Sequence, residues 1–451
     1  MKLTLLTVVL TALNGWSSDV PFERYKLANG LRVILSQDNA VPVVSVYVIY
    51  NVGARSEQKG RTGFAHLFEH MMFQGSKNAP KGMHFQQVEA NGGTLNGSTH
   101  PDYTDYFEIL PSNKLAVALW LEADRMRSLA ITKENLDNQK EAVKQERRLS
   151  FDNQPYNTAI VDVFPAVAFR NWSNSHSIIG SFEDLNAATV EDVSQFFKTH
   201  YAPSNAVLSI AGDIRIPETK RLIEEYFADI PAQPPAKPPN LEEPERKEPR
   251  WEVYKDKLAR VPMVSVGYPG PKRRSPDYYA LTMLDVVLTG GESSRLYLSL
   301  VKEKKSVLSL EANLGWPFAK PADYKDPGIY GLNFIHNPAF TARQVVDQFE
   351  AELARLEKTP VDARELERAR ATLVAGRIRD LQSTLTRATL LAQYELFDGD
   401  PGLINKELAP ILAVTAEQIS DVCRRYLARQ KQSVLELIPA PESTGKKEAR
   451  K

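Results

Sequence analysis

The chain has 451 residues, too many for one hydrophobic core, so two or three domains are expected. Hydrophobic residues make up 43% and charged residues 25%, ordinary globular values, and Lys plus Arg equals Asp plus Glu at 56 each. That balance leaves no field to attract nucleic acid or an anionic membrane, and the single cysteine, Cys423, excludes an intrachain disulfide and a cysteine-based metal site.

At the N-terminus Lys2 precedes an apolar run from Leu3 to Leu13, and Gly15-Trp16-Ser17 offers a small-x-small cleavage pattern. Residues 1–18 therefore read as a signal peptide, which places the mature chain in the periplasm or outside the cell rather than in the cytoplasm. The run is too short to span a bilayer, and no other stretch is long and apolar enough to do so. Tyr25 to Leu35 reads as two short strands around an Asn29-Gly30 turn, and Val41 to Val52 is rich in β-formers. A polar loop, Gly53 to Arg61, leads into an apolar helical segment, Thr62 to Phe73. Asn91-Gly92-Gly93 breaks the chain before Thr94 to Thr99, and Tyr103 to Leu110 alternates as a strand. Leu115 to Leu129, Glu134 to Leu149 and Thr189 to Tyr201 carry helical periodicity, and Ala206 to Ala211 is a strand.

Pro231 to Arg250 holds seven prolines in twenty residues and reads as an extended, semi-rigid linker. It divides an N-terminal domain, 19–230, from a C-terminal domain, 251–440, and residues 441–451 form a polar tail expected to be disordered. The two sides look like copies. Val41-Pro-Val-Val-Ser-Val46 recurs as Val261-Pro-Met-Val-Ser-Val266, and Thr189 to Ser194 recurs loosely as Thr415 to Ser420.

The apolar helix is the anomaly, because it carries His66, Glu69 and His70 where burial disfavours charge. His66 and His70 stand four apart and share a face, so both imidazoles can bind one Zn²⁺, with Glu69 on the neighbouring edge beside an open position. His-x-x-Glu-His is the inverzincin signature. The alternative is a core helix with satisfied histidines, and a third ligand decides between them. In the helix Glu134 to Leu149, Leu136, Ala142, Val143 and Leu149 mark the inward face, which Glu146 shares, whereas Glu141 falls on the polar face. Aligning Gly75 with Gly290 sets Leu281, Leu284 and Asp285 where His66, Glu69 and His70 stand, so only the first copy can hold metal. Asp285 then reads as a helix-surface or capping carboxylate. His84, His100, His176, His200 and His336 have no partner at ligand spacing and read as surface or ordinary core histidines.

His-x-x-Glu-His followed by Glu146 resembles the pitrilysin, insulysin and mitochondrial processing peptidase family, and the resemblance extends from about Pro21 to Pro439. It implies an α+β fold of two homologous domains, each a mostly antiparallel sheet with helices packed on one face. It implies a zinc endopeptidase with His66, His70 and Glu146 as ligands of one Zn²⁺ per chain and Glu69 as the general base that activates water at the metal. Gln139, two turns before Glu146, stands where many members have a second glutamate, and either orients a ligand or is a plain buried amide. The strand Leu95 to Thr99 resembles the edge on which substrates pair as an added strand, which makes Asn96, Gly97 and Thr99 candidate peptide contacts; Gly97 replaces the usual alanine.

Active half-size members resemble dimers whose four domains close around a chamber that admits peptides or unfolded segments. Their second domain carries an arginine and, seven residues on, a tyrosine that contact substrate. Here Lys302 and Ser309 stand at those positions. Lysine lacks the planar fork and serine the aromatic face, so a heterodimer with a homologous zinc-free chain is expected, with a homodimer as the alternative. Some members have lost the metal and serve as non-catalytic scaffold subunits, a reading that the intact His66, Glu69, His70 and Glu146 set opposes.

Overall fold

The computed structural model describes residues 19–234, 236–315 and 324–440; the expected signal segment 1–18 and tail 441–451 lie outside them. Two sheets organise these residues. The first runs β1-β2-β6-β3-β5-β4, with β1 Glu23–Lys26, β2 Arg32–Gln37, β3 Val43–Tyr50, β4 Thr94–Thr99, β5 Thr104–Pro111 and β6 Ala206–Gly212. The second runs β7-β11-β8-β10-β9, with β7 Arg250–Asp256, β8 Met263–Pro269, β9 Val307–Leu314, β10 Ile329–His336 and β11 Ser433–Pro439. Without β1 the two orders correspond strand for strand. Each sheet is antiparallel apart from one pair, β2 with β6 in the first and β7 with β11 in the second. The matched Val-Pro segments enter β3 and β8 at the same place, with Val43 and Met263 as the first strand residues.

Strand β3 is buried at every position after its first, so its sequence is a continuous apolar run rather than an alternation. One face packs on helices of the same half, among them α1 (Phe64–Met71), α2 (Leu115–Ser128) and α3 (Lys133–Arg147). The other face is covered by the second half. There Ile34, Tyr47, Ile49 and Val207 pack against Ala388, Leu391 and Ala392 of α5 (Thr384–Asp398), a helix from the second half; α4 is Pro276–Thr289 of that half. The exchange is mutual, since Phe164, Val167 and Phe169 of the first half pack on Met263, Leu435 and Leu437 of the second sheet. A sheet apolar on both faces must bury both, and here each half covers the other. Gly267 makes room for this: a Cβ there would lie 2.8 Å from Cζ of Phe164.

The proline-rich segment has neither helix nor strand from 236 to 249, but it is not a free spacer. Asn171 donates to the carbonyls of Asn240 and Glu242 at 2.8 and 3.1 Å, and the Glu243 carboxylate accepts from the backbone N–H groups of Arg170 and Asn171 at 2.9 and 3.0 Å. No helix among the described residues is long and apolar enough to cross a membrane. Cys423 is buried.

Helix α3 is shorter than its periodicity suggested. Thr132 caps it by accepting from Asn135 N at 3.1 Å, and beyond Arg147 the backbone widens into a π-turn, Arg148–Asp152. Leu149 thereby leaves the helical face and is 55% exposed, and Ala142 is exposed as well. Only Leu136 and Val143 of the four expected markers point inward, yet that pair suffices to orient Glu146 toward α1.

Candidate active site

Phe64, Ala65, Leu67, Phe68 and Met71 bury α1 on nearly all sides. The helix starts two residues later than expected, at Phe64, after Gly63 with φ 81°. A side chain at Gly63 would meet the backbone of Gly180, with a Cβ 2.7 Å from its Cα. No neighbouring side chain caps this terminus. Glu57, fully buried, accepts from the N–H groups of Gly63 and Ala65 at 3.0 and 2.8 Å and so satisfies donors that the helix leaves open. His176 Nε2 stands 3.1 Å from Glu57 and 2.9 Å from the Ala54 carbonyl, and its Nδ1 stands 2.9 Å from the Trp172 carbonyl. Acceptors at both ring nitrogens call for two N–H groups, the imidazolium form. Burial pulls His176 down, but Glu57 and these carbonyls outweigh it and hold its pKa above the ordinary value. His176 is thus an ion-paired core histidine, and Glu57, six residues before Gly63, carries no local capping signal that a sequence could show.

Helix α3 lies against α1 and brings Glu146 between the two imidazoles. His66 Nε2 is 3.6 Å from one carboxylate oxygen and His70 Nε2 is 3.3 Å from the other. These separations fit the edges of a tetrahedron with bonds of about 2.0–2.1 Å, as zinc makes to nitrogen and oxygen. Burial lowers His66 to about 4, so its ring is neutral and its lone pair free. The hydrogen bond with His70 holds Glu146 below the usual carboxylate range. Burial pulls His70 down too, but its bond to Glu146 and the nearby Glu69 charge outweigh it and leave it raised. A divalent cation bound here would have to displace that proton, so its affinity would weaken as pH is lowered. Gln139 Oε1 lies 3.3 Å from His70 Nδ1, where the amide oxygen accepts from the ring N–H. Glu141 is exposed and pairs with Lys144.

Burial pushes Glu69 up to about 7, against the hydroxyl of Thr99, which donates to its Oε2 at 2.7 Å. The side chain of Thr99 is therefore committed to Glu69. Among the described residues β4 pairs only with β5, which leaves its outer edge unpaired there, and Asn96 on it is exposed. At Gly97 a Cβ would approach the Tyr106 ring to 3.0 Å, which favours glycine there. A cavity of about 380 Å³ joins these groups, with His66, Glu69 and Glu146 on one side, Gly97 to Thr99 along the strand, and an apolar wall of Phe151, Val161, Ile178 and Ile179.

Among the described residues a second trio, His84, Glu108 and Glu122, also converges closely enough for a metal. His84 has no partner at ligand spacing in the sequence but gains one in the fold, where β5 carries Glu108 to within 2.8 Å of its Nε2. This cluster already holds its cation: Arg125 forms a two-pronged pair with Glu122, lies 3.6 Å from Glu108, and stacks over Tyr106 at 4.4 Å. In the second half Leu281 and Leu284 are fully buried on α4. Asp285 is not a surface carboxylate. It accepts from the Tyr330 hydroxyl at 2.9 Å and from Thr289 Oγ1 at 3.0 Å, and burial raises its pKa. Lys302 and Ser309 are both exposed, Lys302 over the Tyr297 ring at 5.2 Å and Ser309 on β9.

The metal-capable trio with a carboxylate beside it, on one of two matching halves, meets the comparison with known proteins. Residues 32–181 match the insulinase family (peptidase family M16), and residues 187–373 match the peptidase M16 inactive domain. The chain belongs to peptidase family M16. Its relatives are named as zinc proteases: PqqE of Helicobacter pylori is 28% identical over 404 residues, 89% of each chain. A probable mitochondrial-processing peptidase subunit beta of Schizosaccharomyces pombe is 24% identical over 382 residues, 84% of this chain and 82% of that one. The crystal structure of a protease from Helicobacter pylori superposes with a TM-score of 0.87 at 26% identity, over 93% of this chain and 99% of that one. The M16 inactive-domain structure from Pseudomonas fluorescens, at 16% identity and a TM-score of 0.80, shares the fold.

Proposed function

We propose that this M16 chain is a zinc-dependent endopeptidase that hydrolyses peptides or unfolded segments. The observation that carries the reading is the convergence of His66, His70 and Glu146 beside a buried Glu69, in a cavity that opens on a strand edge unpaired among the described residues. His66, His70 and Glu146 would hold the metal. Zinc, when bound, supplies the positive charge that acidifies water and polarises the scissile carbonyl. The chain's own residues do the rest. The backbone of β4 aligns an extended peptide by strand addition, which tolerates varied sequences. Phe151, Val161, Ile178 and Ile179 exclude water from one side and favour an uncharged side chain. Glu69, lifted by burial to a pKa suited to neutral pH, takes the proton of the attacking water and passes it to the leaving amine. Thr99 fixes one oxygen of that carboxylate during the transfer.

The reading includes a partner and a place. Exposed Lys302 and Ser309 lack the arginine and tyrosine contacts of active half-size relatives, and a homologous zinc-free chain would supply them, with the four domains closing around the substrate. The Lys2 to Leu13 pattern and its small-x-small site point to export to the periplasm. Purified chain is expected to contain about one zinc ion and to cleave unstructured peptides in a chelator-sensitive way. Addition of the zinc-free homologue should raise the rate and give a species of twice the subunit mass. A chain without zinc, or hydrolysis indifferent to chelator, overturns the peptidase; full activity unchanged by the homologue overturns the heterodimer.

A further inference from the structure

We infer that Arg55 is a positioning residue through which the second half of the chain sets the geometry of the metal site, an inference that rests on the peptidase reading above. Arg55 lies in the turn Ala54–Ser56 between β3 and α1, with its side chain only 4% exposed. Its Nη1 bonds Asp102 Oδ2 at 3.2 Å and the Lys325 carbonyl at 3.0 Å, and its Nη2 bonds the Pro327 carbonyl at 2.6 Å. The same Asp102 oxygen accepts from Lys325 N. Two charged side chains of the first half are thus completed by three backbone groups of the second. A planar guanidinium can engage three such acceptors at once; an ammonium cannot do so in this geometry. Because both charges are buried, each depends on the segment 325–327 standing where it does.

Two short paths lead from this node to the chemistry. Along the first, Ala54 N and Arg55 N donate to the carbonyls of His100 and Pro101 at 3.1 and 2.8 Å, and Glu57 N donates to Ala54 O at 3.0 Å. Glu57 then caps α1 one turn from His66. Along the second, Asp102 follows Thr99 by three residues, and Thr99 holds Glu69. The paths have no slack where they touch, since a Cβ on Gly53 would lie 2.3 Å from the His100 carbonyl oxygen. A displacement of segment 325–327 therefore reaches the cap of the metal helix and the support of the base together. An ion pair that does join the two halves, Arg387 with Asp38 just after β2, touches neither path.

The test compares full-length Arg55→Lys and Asp102→Asn with Arg387→Ala. Arg55→Lys and Asp102→Asn are expected to lower kcat about tenfold to a hundredfold with KM held within about twofold. Both should release zinc to a competing chelator at least about tenfold faster than the parent. Arg387→Ala should change the thermal midpoint but neither kcat nor zinc release. If Arg55→Lys does not fold, Asp102→Asn, which keeps shape and removes one charge, decides the matter. Parent values of kcat and zinc release in both node variants, whatever their thermal midpoints, overturn the inference. A parent chain that holds zinc and cleaves nothing defeats the peptidase reading instead, and zinc release still decides the role of Arg55.

Discussion

Helices α1 and α4 occupy equivalent places behind equivalent strands, yet they are built on opposite principles. α4 is made from local signals: Ser275 caps it by accepting from Tyr278 N at 3.2 Å, Pro276 opens it, and Leu281 and Leu284 fill its core face. α1 has eight residues, no local cap, and three ionisable groups that resist burial. It is held by groups outside its own turn, Glu57 at its start, backed by the distant His176, and the distant Glu146 at its flank. A helix that must keep donor atoms in a dry site gives up apolar contacts its counterpart keeps, and the surrounding fold makes good the loss.

The largest effect is expected where the halves differ most. Glu69→Gln keeps the shape of the side chain and its place beside Thr99 but removes the base, so hydrolysis should fall by about two to four orders of magnitude with zinc content unchanged. A variant cleaving peptides at the parent rate would refute the role of Glu69. Glu146→Ala leaves two imidazoles where three donors stood, as metal analysis after dialysis should show by loss of zinc, whereas Glu141→Ala should retain it. Equal zinc in both variants would mean that the carboxylate of α3 is not a ligand.

Changes around α4, away from segment 325–327, should touch stability alone. Asp285→Ala strands the buried Tyr330 hydroxyl and should cost about 1–3 kcal/mol in denaturant unfolding, with zinc content and kcat retained. Loss of zinc in that variant would show that the two halves share the metal site. Ser275→Ala removes a local cap and should cost about 1 kcal/mol. The smallest effect is a pH dependence that separates the remote cap from the local one. His176 is raised in the folded chain above its unfolded value, so its contribution is fully present below about 6.5 and is lost as pH rises through the raised value. The gap in thermal midpoint between parent and His176→Gln should therefore narrow from pH 6 to pH 9, while the gap for Ser275→Ala stays level. A gap that widens with pH would show that His176 is buried neutral.

The sequence by itself determined the elements whose cause is local. The His66, Glu69 and His70 spacing, the Asn29-Gly30 turn, the apolar run of β3 and the matching Val-Pro segments could all be read from neighbours a few residues apart. Glu146 could be placed on the inward face as well, although two of its four markers prove exposed: Leu149 because α3 ends at Arg147, and Ala142 within the helix itself. The tertiary structure alone decided what depends on closure between distant segments. Glu57 reaches the N-terminus of α1 only because the turn after β3 folds back over it, and His84 meets Glu108 only across the sheet. Arg55 finds its carbonyls some 270 positions away, and each half covers the open sheet face of the other. Periodicity reports which side of an element is apolar; it carries no information on which distant polar group will stand opposite, because that is fixed by the packing of whole sheets.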